Sequence, residues 1–120
     1  MAKGEITHIE FPADDVERAR RFYSAVAGWE IGEVDGMPGY FMFRTGENTG
    51  GGIGKRGDTV GSVIRVYISV DKLEPAVAAA EANGGSVVTP PSDVPGMGRY
   101  AAVHDSEGNE VGLWESAPQS

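Results

Sequence analysis

The chain has 120 residues, no cysteine and a formal net charge of -8 at pH 7. That length suits one domain with a real core, and the absence of thiols excludes disulfide and cysteine chemistry, as expected of a cytoplasmic protein. The acidic balance argues against nucleic acid as partner, because phosphate contacts need a basic patch. No run approaches the ~18 apolar residues of a membrane span, and no secretory pattern is present.

The first predicted strand covers Ile6 to Phe11, after a short lead-in from Met1 to Glu5. Strand alternation sends Thr7, Ile9 and Phe11 to one side and His8 and Glu10 to the other, so one face is built to pack and the other to line something. A helix follows over about Asp15 to Ala27, with Val16, Ala19, Phe22, Tyr23 and Val26 at helical spacing. Asp14-x-x-Glu17 reads as its capping box and Gly28 as its left-handed stop. Trp29 to Val34 and Tyr40 to Phe43 are the next strands, and Phe41 and Phe43 are expected in the core. The run Gly50-Gly51-Gly52-Ile53-Gly54 stands where a fourth strand belongs. Glycines weaken a strand unless something approaches its backbone closely, here a neighbouring strand or a ligand over a pocket floor.

Residues 56–61 are charged and contain glycine, a natural joint between modules. Ser62 to Val70 is then a strand, Lys72 to Asn83 a helix with Asp71-x-x-Glu74 as its capping box, and Gly85 its stop. Ser86 to Val88 is a short strand. Thr89 to Gly98 carries three prolines and two glycines and is expected as a loop, a flap over a pocket. Tyr100 to His104 and Glu110 to Glu115 are the last strands, with His104 at a surface turn and a loose tail over 116–120.

The two halves repeat each other. Arg65 falls 57 residues after His8, Asp71 the same distance after Asp14, and Gly85 after Gly28. Further on the offset is 60, matching Gly36-Met37 to Gly96-Met97, Tyr40 to Tyr100, and Gly52-Ile53 to Gly112-Leu113. Each half therefore reads strand, helix, three strands: a single α+β domain of two modules, about 5–55 and 62–115.

The strand around His8 and Glu10, the Asp14-Asp15 helix start, Phe22-Tyr23, Gly28-Trp29 and Val70-Asp71 resemble the vicinal oxygen chelate superfamily of glyoxalases, bleomycin-binding proteins and extradiol dioxygenases. Above all the segment Asp105-Ser106-Glu107-Gly108-Asn109-Glu110-Val111-Gly112-Leu113-Trp114-Glu115 carries the likeness. The resemblance implies two βαβββ modules whose mixed sheet curls into a cup, and a homodimer as the usual assembly. It also places metal ligands on the inward positions of the first and last strands of each module, here His8, Gly52, Arg65 and Gly112. Only His8 is a metal-binding side chain. Two glycines offer no donor and Arg65 carries a repelling charge. Glu115 lies near the last position, but its parity aims it at the other face.

The expected site is therefore a metal-free pocket, with a divalent metal in a noncanonical site as the alternative. Alternation sends His8, Glu10, Arg65, Tyr67, Ser69 and Trp114 to the same interior, along with Gly52 and Gly112. Arg65 is expected either to pair with Glu10 or to grasp a ligand carboxylate or phosphate, with Tyr67 and Trp114 as flat walls. His8 and Glu10 are the candidate acid–base residues. The leading expectation is a small-molecule-binding protein. The alternatives are a lyase, isomerase or dioxygenase of the same superfamily and a non-catalytic scaffold subunit.

Overall fold

A computed structural model describes residues 3–117. The chain packs as two units, one of Thr7–Arg65 and the other of the lead-in up to Ile6 with Val66 onward, the boundaries falling one residue inside the strands that begin at Ile6 and Arg65. In the first unit β1 (Ile6–Ala13) leads through α1 (Val16–Ala27) to β2 (Gly32–Val34), β3 (Met37–Arg44) and β4 (Gly50–Lys55). Its strands lie in the order β2-β3-β4-β1, parallel only between β1 and β4. The second unit repeats the plan with β5 (Arg65–Ser69), α2 (Leu73–Ala82), β6 (Ser86–Val94), β7 (Gly98–His104) and β8 (Glu110–Ser116). Here the order is β5-β8-β7-β6, and β5 and β8 are the parallel pair. Two βαβββ modules are thus the architecture, as the duplicated pattern requires.

The alternation in β1 decides how the first unit packs. Phe11 faces α1, where Tyr23 (ring centroids 4.9 Å apart), Trp29 and Phe43 form a continuous aromatic stack; Trp29 and Phe43 lie 4.1 Å apart and nearly parallel. Ala13, Phe43 and Ile53 are its buried centre, with Val16, Ala19 and Ile31 packed around them. Phe22, expected in this core, is instead 57% exposed, and Val26 is 69% exposed. Adjacent helical residues sit ~100° apart, so turning Tyr23 onto the sheet turns Phe22 off it. Phe41 shares Phe43's side of β3 but lies under the Arg20 guanidinium, 4.5 Å from its ring centroid. In the second unit Leu73, Ala101, Val103 and Leu113 form the buried cluster, with Ile68, Val70, Val77 and Val111 against it.

Several boundaries differ from the sequence reading. The N-cap of α1 is Asp15, which accepts from the Arg18 N–H at 3.0 Å, while Asp14 takes the Arg56 Nε–H at 2.9 Å. Gly28 is the left-handed stop as expected, with φ +73°. For α2 the cap is Lys72, whose side chain makes no capping bond, so Asp71 does not serve there. The Leu73 N–H donates instead to Glu115 Oε1 at 2.9 Å, a carboxylate brought in from β8 where the helix dipole favours it. The left-handed glycine after α2 is Gly84 (φ +94°), not Gly85. Gly85 has a different reason to be glycine: a Cβ there would collide with the His104 carbonyl.

The expected flap over Thr89 to Gly98 is largely strand. β6 continues to Val94 and pairs with β7, with register shifts between Val87 and Thr89 and between Thr89 and Ser92. Pro90 and Pro91 fall within the second shift, on the outermost strand of their unit's sheet, where a missing N–H is tolerated. A tight turn at Pro95 to Met97 closes the hairpin, with the Met97 N–H donating to the Val94 carbonyl at 3.0 Å. At the chain ends, β8 runs through Ser116 and the Ala117 N–H reaches the Met97 carbonyl, while 118–120 of the expected tail lie outside the described residues. The lead-in is also tied down, Gly4 and Glu5 exchanging backbone bonds with Ser69.

Glu115 is the point of failure this packing exposes. Replacing it by alanine leaves the buried Leu73 N–H without its acceptor and is expected to cost about 1–3 kcal/mol. Glu74→Ala, which removes only an ion pair between Arg99 and an exposed Glu74, is expected to leave the midpoint nearly unchanged. Urea midpoints at unchanged m-value check the difference.

Candidate functional site

The face of β1 turned away from α1 carries His8 and Glu10, and the residue that joins them is Tyr40 of β3. Its hydroxyl donates to Glu10 Oε2 at 3.1 Å and lies 2.7 Å from His8 Nε2. A phenol has one proton. If that proton goes to the carboxylate, His8 Nε2 must carry the hydrogen that completes the second bond, leaving the lone pair on Nδ1. Arg65 closes the group: its Nη1 stands 3.8 Å from Glu10 Oε1, with both side chains nearly buried. The simple pairing of Arg65 with Glu10 is therefore present. At that separation it is an ion pair rather than a hydrogen bond.

Tyr40 reaches this position because β4 has no side chain to stop it. Met42 pairs with Gly52 across the β3–β4 ladder, and Tyr40, two residues away on the same face, leans diagonally over Gly52. A Cβ at Gly52 would collide with the Tyr40 hydroxyl and ring. Gly51, on the opposite face, gives the same clearance to Phe43, and Gly54 to Val60. The glycine run is thus a strand shaved to admit neighbouring side chains, and at Gly52 the expected open floor is filled by a phenol. Sequence reading placed Tyr40 at the start of the third strand and as the repeat partner of Tyr100, and gave it no part in the site. The signal that could have found it was a tyrosine sharing the inward parity of an adjacent glycine.

In the second unit Tyr67 and Gly112 are direct partners across β5 and β8, and a Cβ at Gly112 would collide with the Tyr67 ring. Tyr100 meets Tyr67 edge to face at 6.3 Å between centroids. Trp114 sits opposite Tyr100 in register and its Nε1–H donates to Ser116 Oγ at 3.2 Å. Ser69 is buried and registered with Trp114. Glu115 takes the other face, as its parity requires, and serves α2.

Among the described residues, neither unit by itself gathers the set of donors that a divalent metal takes. Of the four positions carried over from the resemblance, Gly52 and Gly112 have no donor and are overlain by tyrosine rings, and Arg65 is cationic. Among the described residues, no three His, Asp, Glu or Cys side chains gather in a way that would hold a metal ion. The residues present do not fit a divalent cation.

Burial lowers the His8 pKa from 6.5 to about 4, so the imidazole is neutral at pH 7. The unfolded chain binds the proton that the folded one refuses. This contribution to stability is therefore complete above pH 6.5 and is lost as the pH falls toward 4. At full amplitude the loss is on the order of 3 kcal/mol. His8→Gln is expected to flatten the decline in Tm over this interval relative to the unmodified chain. In NMR titration the His8 ring should show its midpoint near pH 4; a midpoint near 6.5 would contradict the burial argument.

The family model described as the Glyoxalase/Bleomycin resistance protein/Dioxygenase superfamily matches residues 5–113. A glyoxylase-like domain-containing protein of Didymella fabae is 34% identical over 117 residues, covering 88% of this chain and 89% of that protein. A protein provisionally named glyoxylase CFP32 from Mycobacterium tuberculosis is 30% identical over 119 residues, covering 97% of this chain. The match takes in 46% of that relative, so the chain spans about half its length. Among solved structures, hypothetical protein BH1468 from Bacillus halodurans superposes with a TM-score of 0.70 at 12% identity over 99% of both chains. Streptomyces coelicolor methylmalonyl-CoA epimerase in complex with 2-nitronate-propionyl-CoA does so at 0.66 and 18%, over 98% of this chain and all of that one. The duplicated βαβββ plan and the matched family model agree: the chain belongs to the glyoxalase/bleomycin resistance protein/dioxygenase superfamily.

Proposed function

We propose that this chain is a small-molecule-binding member of its superfamily that holds its ligand through His8, Tyr40, Glu10 and Arg65, without a divalent metal. One observation carries the reading: the Tyr40 hydroxyl set between His8 and Glu10, with Arg65 against the same carboxylate. Arg65 and Glu10 carry opposite charges beside a neutral imidazole and a phenol, a set rich in hydrogen-bond donors and acceptors. The ligand class that suits it is an uncharged molecule bearing hydroxyl or carbonyl oxygens, bound by directed hydrogen bonds.

Tyr67, Ser69, Gly112 and Trp114 belong to the proposal as ligand-binding residues of the second unit, with the Tyr67 and Trp114 rings suited to stacking. A homodimer, tested by molar mass in solution, and a cytoplasmic setting are carried as part of the same reading. No described helix is long and apolar enough to cross a membrane. A second reading has one specific support. The relay His8–Tyr40–Glu10 sets an imidazole and a carboxylate on one phenol, the pair of acid–base groups that a lyase or isomerase would use.

The test is a thermal-shift and calorimetric screen of uncharged hydroxyketones and their carboxylate analogues, with and without EDTA. Binding of the uncharged set, indifferent to EDTA and weakened about tenfold by Tyr40→Phe, is the expected result; tenfold corresponds to ~1.4 kcal/mol, one net hydrogen bond. Stoichiometric metal in the purified protein, removed together with ligand binding by chelation, would overturn the reading.

A further inference from the structure

Tyr40 occupies the place toward which a side chain at position 52 of the fourth strand would project, beside His8 and Glu10. Position 52 pairs with Glu10 across β1 and β4, and a Cβ there would point straight into the Tyr40 hydroxyl. That hydroxyl is itself 2.7 Å from His8 Nε2 and 3.1 Å from Glu10 Oε2. A single atom thus stands within reach of an imidazole and a carboxylate, at the spot toward which a residue at position 52 would project. We propose that Tyr40 is the specificity-determining residue of this site. Its phenol stands in for the missing ligand, bars divalent cations from the His8–Glu10 pair, and converts the site into a hydrogen-bonding one.

The exclusion is steric and chemical together. A cation lying between His8 and Glu10 needs bonds of about 2.0–2.2 Å to nitrogen and oxygen, in the volume that the phenol fills. The neutral hydroxyl is a weaker donor to metal than the carboxylate that a longer residue 52 would bring. It also holds His8 Nε2, the ring atom nearest the site, in a hydrogen bond. Restoring a carboxylate at position 52 is insufficient while Tyr40 remains, because the two side chains claim the same space. The second unit reaches a similar end by another route. There Tyr67 of β5 overlies Gly112, although Tyr100 is the repeat counterpart of Tyr40.

This inference rests on the metal-independent reading but is tested separately from it. Mn²⁺ and Zn²⁺ are titrated calorimetrically into the unmodified chain, Tyr40→Ala, Gly52→Glu and the double variant Tyr40→Ala/Gly52→Glu. Gly52→Glu alone is expected to lower Tm and gain no affinity. The double variant, with His8, Glu10 and a third donor brought together, is expected to bind at least ~100-fold more tightly than the unmodified chain. A folded double variant without that gain overturns the proposal, as does Gly52→Glu binding metal as well as the double variant does.

Should the glutamate variants not fold, Gly52→Ala decides the matter in two backgrounds. Its loss in Tm is expected to be large beside Tyr40 and to vanish beside Tyr40→Ala, and equal losses overturn the steric argument. Tight metal binding by the unmodified chain sinks both the proposed function and the exclusion by Tyr40, whereas a failure confined to the variants overturns the role of Tyr40 alone.

Discussion

The aromatic stack of Phe11, Tyr23, Trp29 and Phe43 is the constraint on which the candidate site depends. It clamps one face of β1 to α1 and β3, and a strand has only two faces. Once Phe11 is committed to the helix side, His8 and Glu10 must point the other way. A slip of one residue would bury the imidazole and carboxylate under the helix and turn the phenylalanine into the site. The same commitment in β3 sends Phe43 to the core and therefore Tyr40 to the polar face. Geometry of the chemical groups is thus a by-product of where the rings pack.

Buried polar groups in this site are held by one another. Glu10 is reached by a phenol and a guanidinium, and His8 escapes the cost of a buried charge by staying neutral. A similar economy appears around α2, where Glu115 satisfies a backbone donor and lies 3.9 Å from Arg99, which also pairs with Glu74. Carboxylates from β-strands thus serve two purposes within the fold, one capping a helix and one accepting from the Tyr40 hydroxyl beside His8.

The glycines of β4 and β8 show how little a backbone needs to change for a site to change character. Removing a side chain at Gly52 admits Tyr40, and removing one at Gly112 admits Tyr67. In each unit the ring enters from a different strand, so the outcome follows from available volume rather than from repetition of the same contact. Tyr100, the repeat counterpart of Tyr40, packs on the edge of Tyr67 instead.

Duplication, the strand–helix–three-strand plan, the two faces of β1 and the outward parity of Glu115 were all written in the sequence, because they rest on periodicities of two and 3.6 that neighbouring residues impose locally. That positions 52, 65 and 112 carry no metal-donating side chain was equally legible, since a glycine or arginine lacks one in any conformation. What the sequence left open were matters of distance: which of Asp14 and Asp15 caps α1, that Glu115 rather than Asp71 serves α2, that β6 runs through Pro90 and Pro91, and that Phe22 stays out of the core. Tyr40's place beside His8 belongs to the same class. It arises from a diagonal contact between β3 and β4 and from a vacancy at Gly52, 12 residues further along the chain. Only the packed sheet brings that ring and that vacancy together.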